Sequence, residues 1–182
     1  MDKIRLFFVF GIAAWFTVKL YGLGTWSWEQ SNQAGIFLNL ACVIGITTLA
    51  AYQRKNEVNF ILRWKNVSKT AVMYSFLLSC SMGVWYYGIV PETIEQRKKQ
   101  QLQMLQDFIN DPAELSAVQR MNPAMGEQSR DAIYAKQAAN IEVFFSPLFF
   151  IGTVLISWIF TAAVLSAIFA ALIPRIWNGK WE

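Results

Sequence analysis

Residues 147–173 read PLFFIGTVLISWIFTAAVLSAIFAALI, a run with no Asp, Glu, Lys or Arg. A hydrocarbon core about 30 Å thick needs roughly 20 mostly apolar residues per helix, and this run exceeds that length. Working outward from it, three further stretches qualify: residues 70–90, which stop before Pro91, residues 34–52, and residues 4–26. The expectation is an all-α membrane protein: one polytopic domain over 1–182 with four transmembrane helices and a helical extracytoplasmic insertion at 91–146.

Composition agrees. Of 182 residues, 55% are hydrophobic and only 15% charged, more apolar surface than a domain of this size buries against itself. At the N-terminus Lys3 and Arg5 precede the apolar run 6–18, as in a signal peptide. Lys19, Tyr21, Trp26 and Trp28 follow where a small-residue cleavage site would stand, so this stretch reads as an uncleaved first span.

Charge sets the expected orientation. The loop at 27–33 has no Lys or Arg, whereas 53–69 carries Arg54, Lys55, Arg63, Lys65 and Lys69 against one acid, Glu57. Adding both tails gives nine bases (with Lys3, Arg5, Arg175 and Lys180) against three acids (with Asp2 and Glu182). Residues 91–146 hold six bases and eight acids. The positive-inside bias therefore places both termini and the 53–69 loop in the cytoplasm of a bacterial inner-membrane protein. The sequence pI of about 9.1 follows from this bias and is no nucleic-acid footprint. Trp26, Trp28, Trp85, Tyr86 and Tyr87 are expected at the outer interface, and Tyr52, Trp64, Trp177 and Trp181 at the inner one, with Trp15 and Trp158 falling mid-span.

Little chemistry is visible. Histidine is absent, which removes the commonest general base and the usual ligand for haem, zinc or copper. Cys42 and Cys80 lack metal or redox spacing and read as reduced thiols at similar depth in neighbouring spans. The span cores hold no acid, and Lys19 stands near enough to the outer end of its helix for its stem to lift the ammonium to the headgroups. No catalytic, cofactor or metal residues are assigned. Small residues recur four apart (Ala41 and Gly45; Ser75, Ser79 and Gly83; Ala162, Ser166 and Ala170), a spacing that lets helices approach within the chain or against a partner.

Two polar segments remain. The 53–69 loop interleaves its bases with Val58, Phe60, Ile61, Leu62 and Trp64, an interfacial composition in which Arg54, Lys55, Arg63, Trp64 and Lys65 are candidate contacts for anionic lipid. In the outer segment Ile94, Leu102, Leu105, Phe108 and Ile109 follow a helical period. Asp111, Pro112 and Glu114 have the spacing of an N-cap, first-turn proline and capping acid. After a breaker at Asn122, Pro123 and Gly126, a third amphipathic helix is expected from 129 to 145, with Ile133, Ile141 and Phe144 on its apolar side.

Four spans, a basic aromatic loop (Tyr52 to Lys69) and a long helical insertion before the last span together resemble the family of uncharacterised four-span bacterial membrane proteins catalogued as domain of unknown function 4199. The resemblance implies no catalytic residues. The favoured function is a non-catalytic accessory or assembly subunit whose partners are the bilayer and other membrane subunits. The alternative is a small oligomeric transporter or channel, with Asn39, Ser75 and Ser79 as first lining residues. An enzyme ranks third, because the outer carboxylates lack a partner base.

Overall fold

The structure is a computed structural model that describes residues 3–121 and 128–178. The helices are α1 (Lys3–Gly22), α2 (Trp28–Gln53), α3 (Phe60–Val84), α4 (Pro91–Asn110), α5 (Pro112–Met121), α6 (Arg130–Phe144) and α7 (Pro147–Asn178), and a π-helical turn, Trp85–Ile89, extends α3. Four of them are long and apolar enough to cross a membrane: α1, α2, α3 with its π turn, and α7. Helices α4, α5 and α6 form the insertion between the third and fourth of these.

The helix ends explain the chain's course. Gly24 has φ 78°, the left-handed conformation that a glycine adopts without steric cost, and it reverses the chain after α1. Ser27 and Gln30 then form a reciprocal capping box: Gln30 N–H donates to Ser27 Oγ at 3.2 Å and Ser27 N–H to Gln30 Oε1 at 2.9 Å. This cap starts α2 at Trp28, ahead of the apolar run, so most of the expected 27–33 loop is helix. At the next connection Asn59 Oδ1 accepts from Leu62 N–H at 3.1 Å and starts α3 at Phe60. The expected basic loop at 53–69 is thereby shortened, and Arg63, Trp64, Lys65 and Lys69 all stand on α3.

Two compact units are present, residues 1–81 with 154–182 and residues 82–153. In the first, α1 packs along α2, and α3 joins them through Phe8 and Tyr74, whose ring centroids lie 5.5 Å apart. The buried apolar side chains include Trp15, Val43, Ile46, Val67, Tyr74 and Leu78. Trp15, out of place in a headgroup belt, is thus a core residue. Cys42 is buried and Cys80 exposed, and both thiols are free.

In the second unit α4 packs on α6, and Ile109, Leu115 and Ile133 form a small core with Leu105, Phe108 and Tyr134 around it. Asp111 Oδ1 accepts from Ala113 N–H at 2.8 Å, the cap that its spacing before Pro112 predicts. Ser129 Oγ does the same for Ala132 N–H at the start of α6. The breaker at Asn122, Pro123 and Gly126 lies outside the described residues. Trp85 and Tyr86 are buried against the protein, and Tyr86 packs edge-on against Phe150. Tyr87 Oη donates to the Phe145 carbonyl at 2.9 Å, joining the π turn to the connection between α6 and α7.

Close approach in the first unit depends on Gly11, where an added Cβ would stand 2.7 Å from Tyr74 Oη and 3.1 Å from Cys42 Sγ. Tyr74 is fully buried and has no space to yield. Gly11→Ala is therefore expected to destabilise the detergent-solubilised protein by about 1–3 kcal/mol. Gly152→Ala, with nothing within 4 Å, should stay within about 0.5 kcal/mol of wild type. Thermal unfolding of both variants checks the pair.

Candidate functional site at the basic end of the helices

The five residues expected on one lipid-facing loop have separate destinations. Lys55 Nζ lies 4.1 Å from the Tyr52 ring centroid and 5.4 Å from that of Trp177, and the two rings meet edge-on at 4.8 Å. This cation–π contact ties the end of α2 to the end of α7. Trp64 Nε1–H donates to the Ala163 carbonyl at 3.2 Å, a second tie between α3 and α7. Lys65 points outward.

Arg63 departs furthest from expectation. It is only 7% exposed, and its Nε–H donates to the Ala170 carbonyl at 2.6 Å while Nη1–H donates to the Glu57 carbonyl. The reason lies in α7. Pro174 has no N–H, so the carbonyl four residues earlier, Ala170, loses its helical donor. In hydrocarbon an unpaired carbonyl is costly, and a neighbouring side chain that fills the vacancy lets the helix run on. Arg63 fills it, and α7 continues through Pro174 to Asn178 where the sequence reading ended the span at Ile173. Arg63 is a structural clasp. The missing donor of Pro174 was legible in sequence, but the residue that replaces it was not.

The small-residue stripes of α3 and α7 are buried within the chain, whereas Ala41 on α2 is exposed. Ser75 Oγ donates to the Ala71 carbonyl at 3.0 Å and approaches that of Trp158 on α7 at 3.3 Å, and Ser79 Oγ donates to the Ser75 carbonyl at 2.9 Å. Ala162, Ser166 and Ala170 are all buried. Gly83 is closed off by Ile151, whose Cδ1 would stand 2.6 Å from an added Cβ.

Lys19 does not reach for the headgroups. Its ammonium is buried and donates to the Ser31 carbonyl at 2.9 Å, Ser31 Oγ at 3.0 Å and Asn32 Oδ1 at 3.1 Å, all on the first turns of α2. Gly35 makes room, since an added Cβ there would lie 3.0 Å from Trp15 Nε1 and 3.2 Å from Lys19 Cε. A long cation placed one helix away from a polar helix start takes the nearer oxygens.

Three further bases share a cavity of about 280 Å³ between α1, α2 and α3. Arg5, Arg54 and Lys69 line it with Gln53, Asn66 and Thr70. Its other wall is apolar, formed by Ile4, Phe8, Ala50 and Met73. Of these bases only Arg54 was a candidate from sequence. Arg5 and Lys69 were counted for orientation but lie far from Arg54 in the chain, and only the fold brings them together. No cluster of three or more His, Cys, Asp or Glu suited to a metal ion occurs among the described residues.

A family model described as protein of unknown function (DUF4199) matches residues 6–175. The chain belongs to this family. The matched stretch runs from the first turn of α1 to beyond Pro174, so the four apolar helices and the insertion all fall within it. No curated protein and no solved structure matches the chain.

The clasp makes a quantitative prediction. Arg63→Met should destabilise the protein by about 1–3 kcal/mol, because the Ala170 carbonyl is left without a donor. In a Pro174→Ala background, where residue 174 regains its N–H, the same change should cost about 1 kcal/mol less. Unfolding of the four proteins in detergent gives the coupling, and simple additivity would remove the proposed link.

Proposed function

We propose that this protein is a non-catalytic accessory or assembly subunit of a larger bacterial inner-membrane complex, with both termini in the cytoplasm. One observation carries the reading. In the most apolar stretch of α7 only 6% of the residues are fully buried, against 22% in α1 and 44% in α2 and in the third span. The outward side chains include Ile156, Phe160, Val164, Ile168 and Leu172, a continuous apolar flank beside the buried small-residue stripe. The insertion adds exposed Met104, Val143 and Phe144, which its own small core leaves uncovered. Meanwhile Lys19, Arg63, Trp64 and Ser75 hold helices to one another.

A photo-crosslinking residue at position 160 should capture a different membrane protein, and purification in mild detergent should recover that protein stoichiometrically. Recovery of this chain alone, as monomer or homo-oligomer, refutes the subunit reading.

A second reading, an oligomeric transporter or channel, is favoured by Asn39. Its amide is completely buried, and neither Nδ2 nor Oδ1 has a hydrogen-bond partner among the described residues; the Tyr74 and Ser166 hydroxyls share that condition. Water beside the Asn39 amide would satisfy it. Under the subunit reading Asn39→Leu is neutral or stabilising by about 1 kcal/mol, since it removes unpaired buried polar atoms. Solute flux in proteoliposomes that Asn39→Leu and Ser79→Ala abolish would instead establish the pathway.

A further inference from the structure

We infer that the cavity between α1, α2 and α3 is a binding site for the phosphate of an anionic phospholipid headgroup. Three cations converge on it from three helical elements: Arg5 in the first turn of α1, Arg54 capping α2, and Lys69 on α3. Among the described residues none of the three makes an ion pair. Like charges gathered in one small cavity repel, and an anion between them reverses the sign of that interaction. Asn66 does hold the Glu57 carboxylate, at 3.4 Å, but one acid against three bases leaves the site positive.

The neutral groups fit the same ligand. Gln53 presents an amide donor suited to phosphate oxygens, and Asn66 has a second N–H beside the one it gives Glu57, while the Thr70 hydroxyl donates to the Asn66 carbonyl at 3.3 Å. A volume of about 280 Å³ accommodates a small headgroup. Depth fits as well: Arg5 opens the apolar run of α1, Arg54 follows that of α2, and Lys69 precedes the run beginning at residue 70, so all three stand where hydrocarbon gives way to headgroups.

Phosphate chemistry alone is shared by a lipid and by free phosphate. The apolar wall of the cavity separates them. Ile4 and Phe8 are buried, but Met73 is 57% exposed, so the cavity continues onto the flank of α3 where an acyl chain would lie. This site does not depend on the subunit reading, because it requires only that the four helices cross a membrane.

The test is native mass spectrometry of the full chain from detergent, titrated with dioleoylphosphatidylglycerol, dioleoylphosphatidylcholine or inorganic phosphate. Wild type should bind phosphatidylglycerol in preference to phosphatidylcholine. Arg5→Gln with Lys69→Gln should weaken phosphatidylglycerol binding roughly tenfold or more, while Lys65→Gln, an exposed base outside the cavity, should leave it within about twofold. The single change Arg54→Gln, at an exposed helix end, gives the same comparison if the double variant does not fold. Equal binding of both lipids, or equal loss in Lys65→Gln, overturns the site. Displacement of phosphatidylglycerol by inorganic phosphate at matched concentration overturns the lipid assignment in favour of free phosphate.

Discussion

Hydrocarbon offers no hydrogen-bond partners, and the structure depends on that constraint. Helices satisfy most backbone groups internally, and the exceptions are met by specific side chains. Pro174 opens one vacancy and Arg63 fills it from another helix. Lys19 brings a charge into a span and finds three oxygens at the start of α2. Thr47, Ser75 and Ser79 return their hydroxyls to carbonyls one turn back on their own helices. Polar side chains in this protein chiefly satisfy backbone or one another, which is why they define few candidate sites.

The spans were legible because length and apolarity follow directly from bilayer thickness. The insertion was legible for another reason: Asp111 before Pro112 is a local cap, and local hydrogen bonds can be read from spacing. Where helices begin with polar turns the apolar pattern misled, as at Trp28 and Phe60, although Ser27 with Gln30 and Asn59 carried usable capping signals. What could not be read was any destination set by long-range geometry. Arg63 and Ala170 are 107 residues apart, and no periodicity links them. Trp85 and Tyr86 share the composition of an interfacial belt, and their burial against the protein, with Tyr86 edge-on to Phe150, comes only from the fold.

The basic residues show how one compositional signal divides into different physical roles. For orientation they are equivalent, because insertion responds to the number of Lys and Arg beside each span. In the folded chain they are not. Arg63 is consumed by backbone carbonyls and Lys55 by aromatic faces, whereas Arg5, Arg54 and Lys69 share a cavity. A guanidinium with two fixed donor directions suits a buried clasp; an ammonium suits the face of a ring. The candidate site consists of three cations that folding leaves without such employment and gathers in one place.

Burial also sorts residues differently here than in a water-soluble domain. Asn39, Thr47, Ser75, Ser79 and Ser166 are inside, while Ile156, Phe160 and Leu172 are outside. With apolar tails on the outside there is no hydrophobic gain in burying a Leu against another helix, so association relies on close contact and on polar groups that lipid cannot satisfy. Small stripes and buried hydroxyls therefore help set which helix faces meet, and many large apolar residues can stay outside at no cost while others, such as Trp15, Ile46 and Leu78, pack within. The outward flank of α7 follows from this sorting. Apolarity alone does not distinguish lipid from protein as its neighbour, so the complementary shape of a partner must supply the specificity of any assembly formed there.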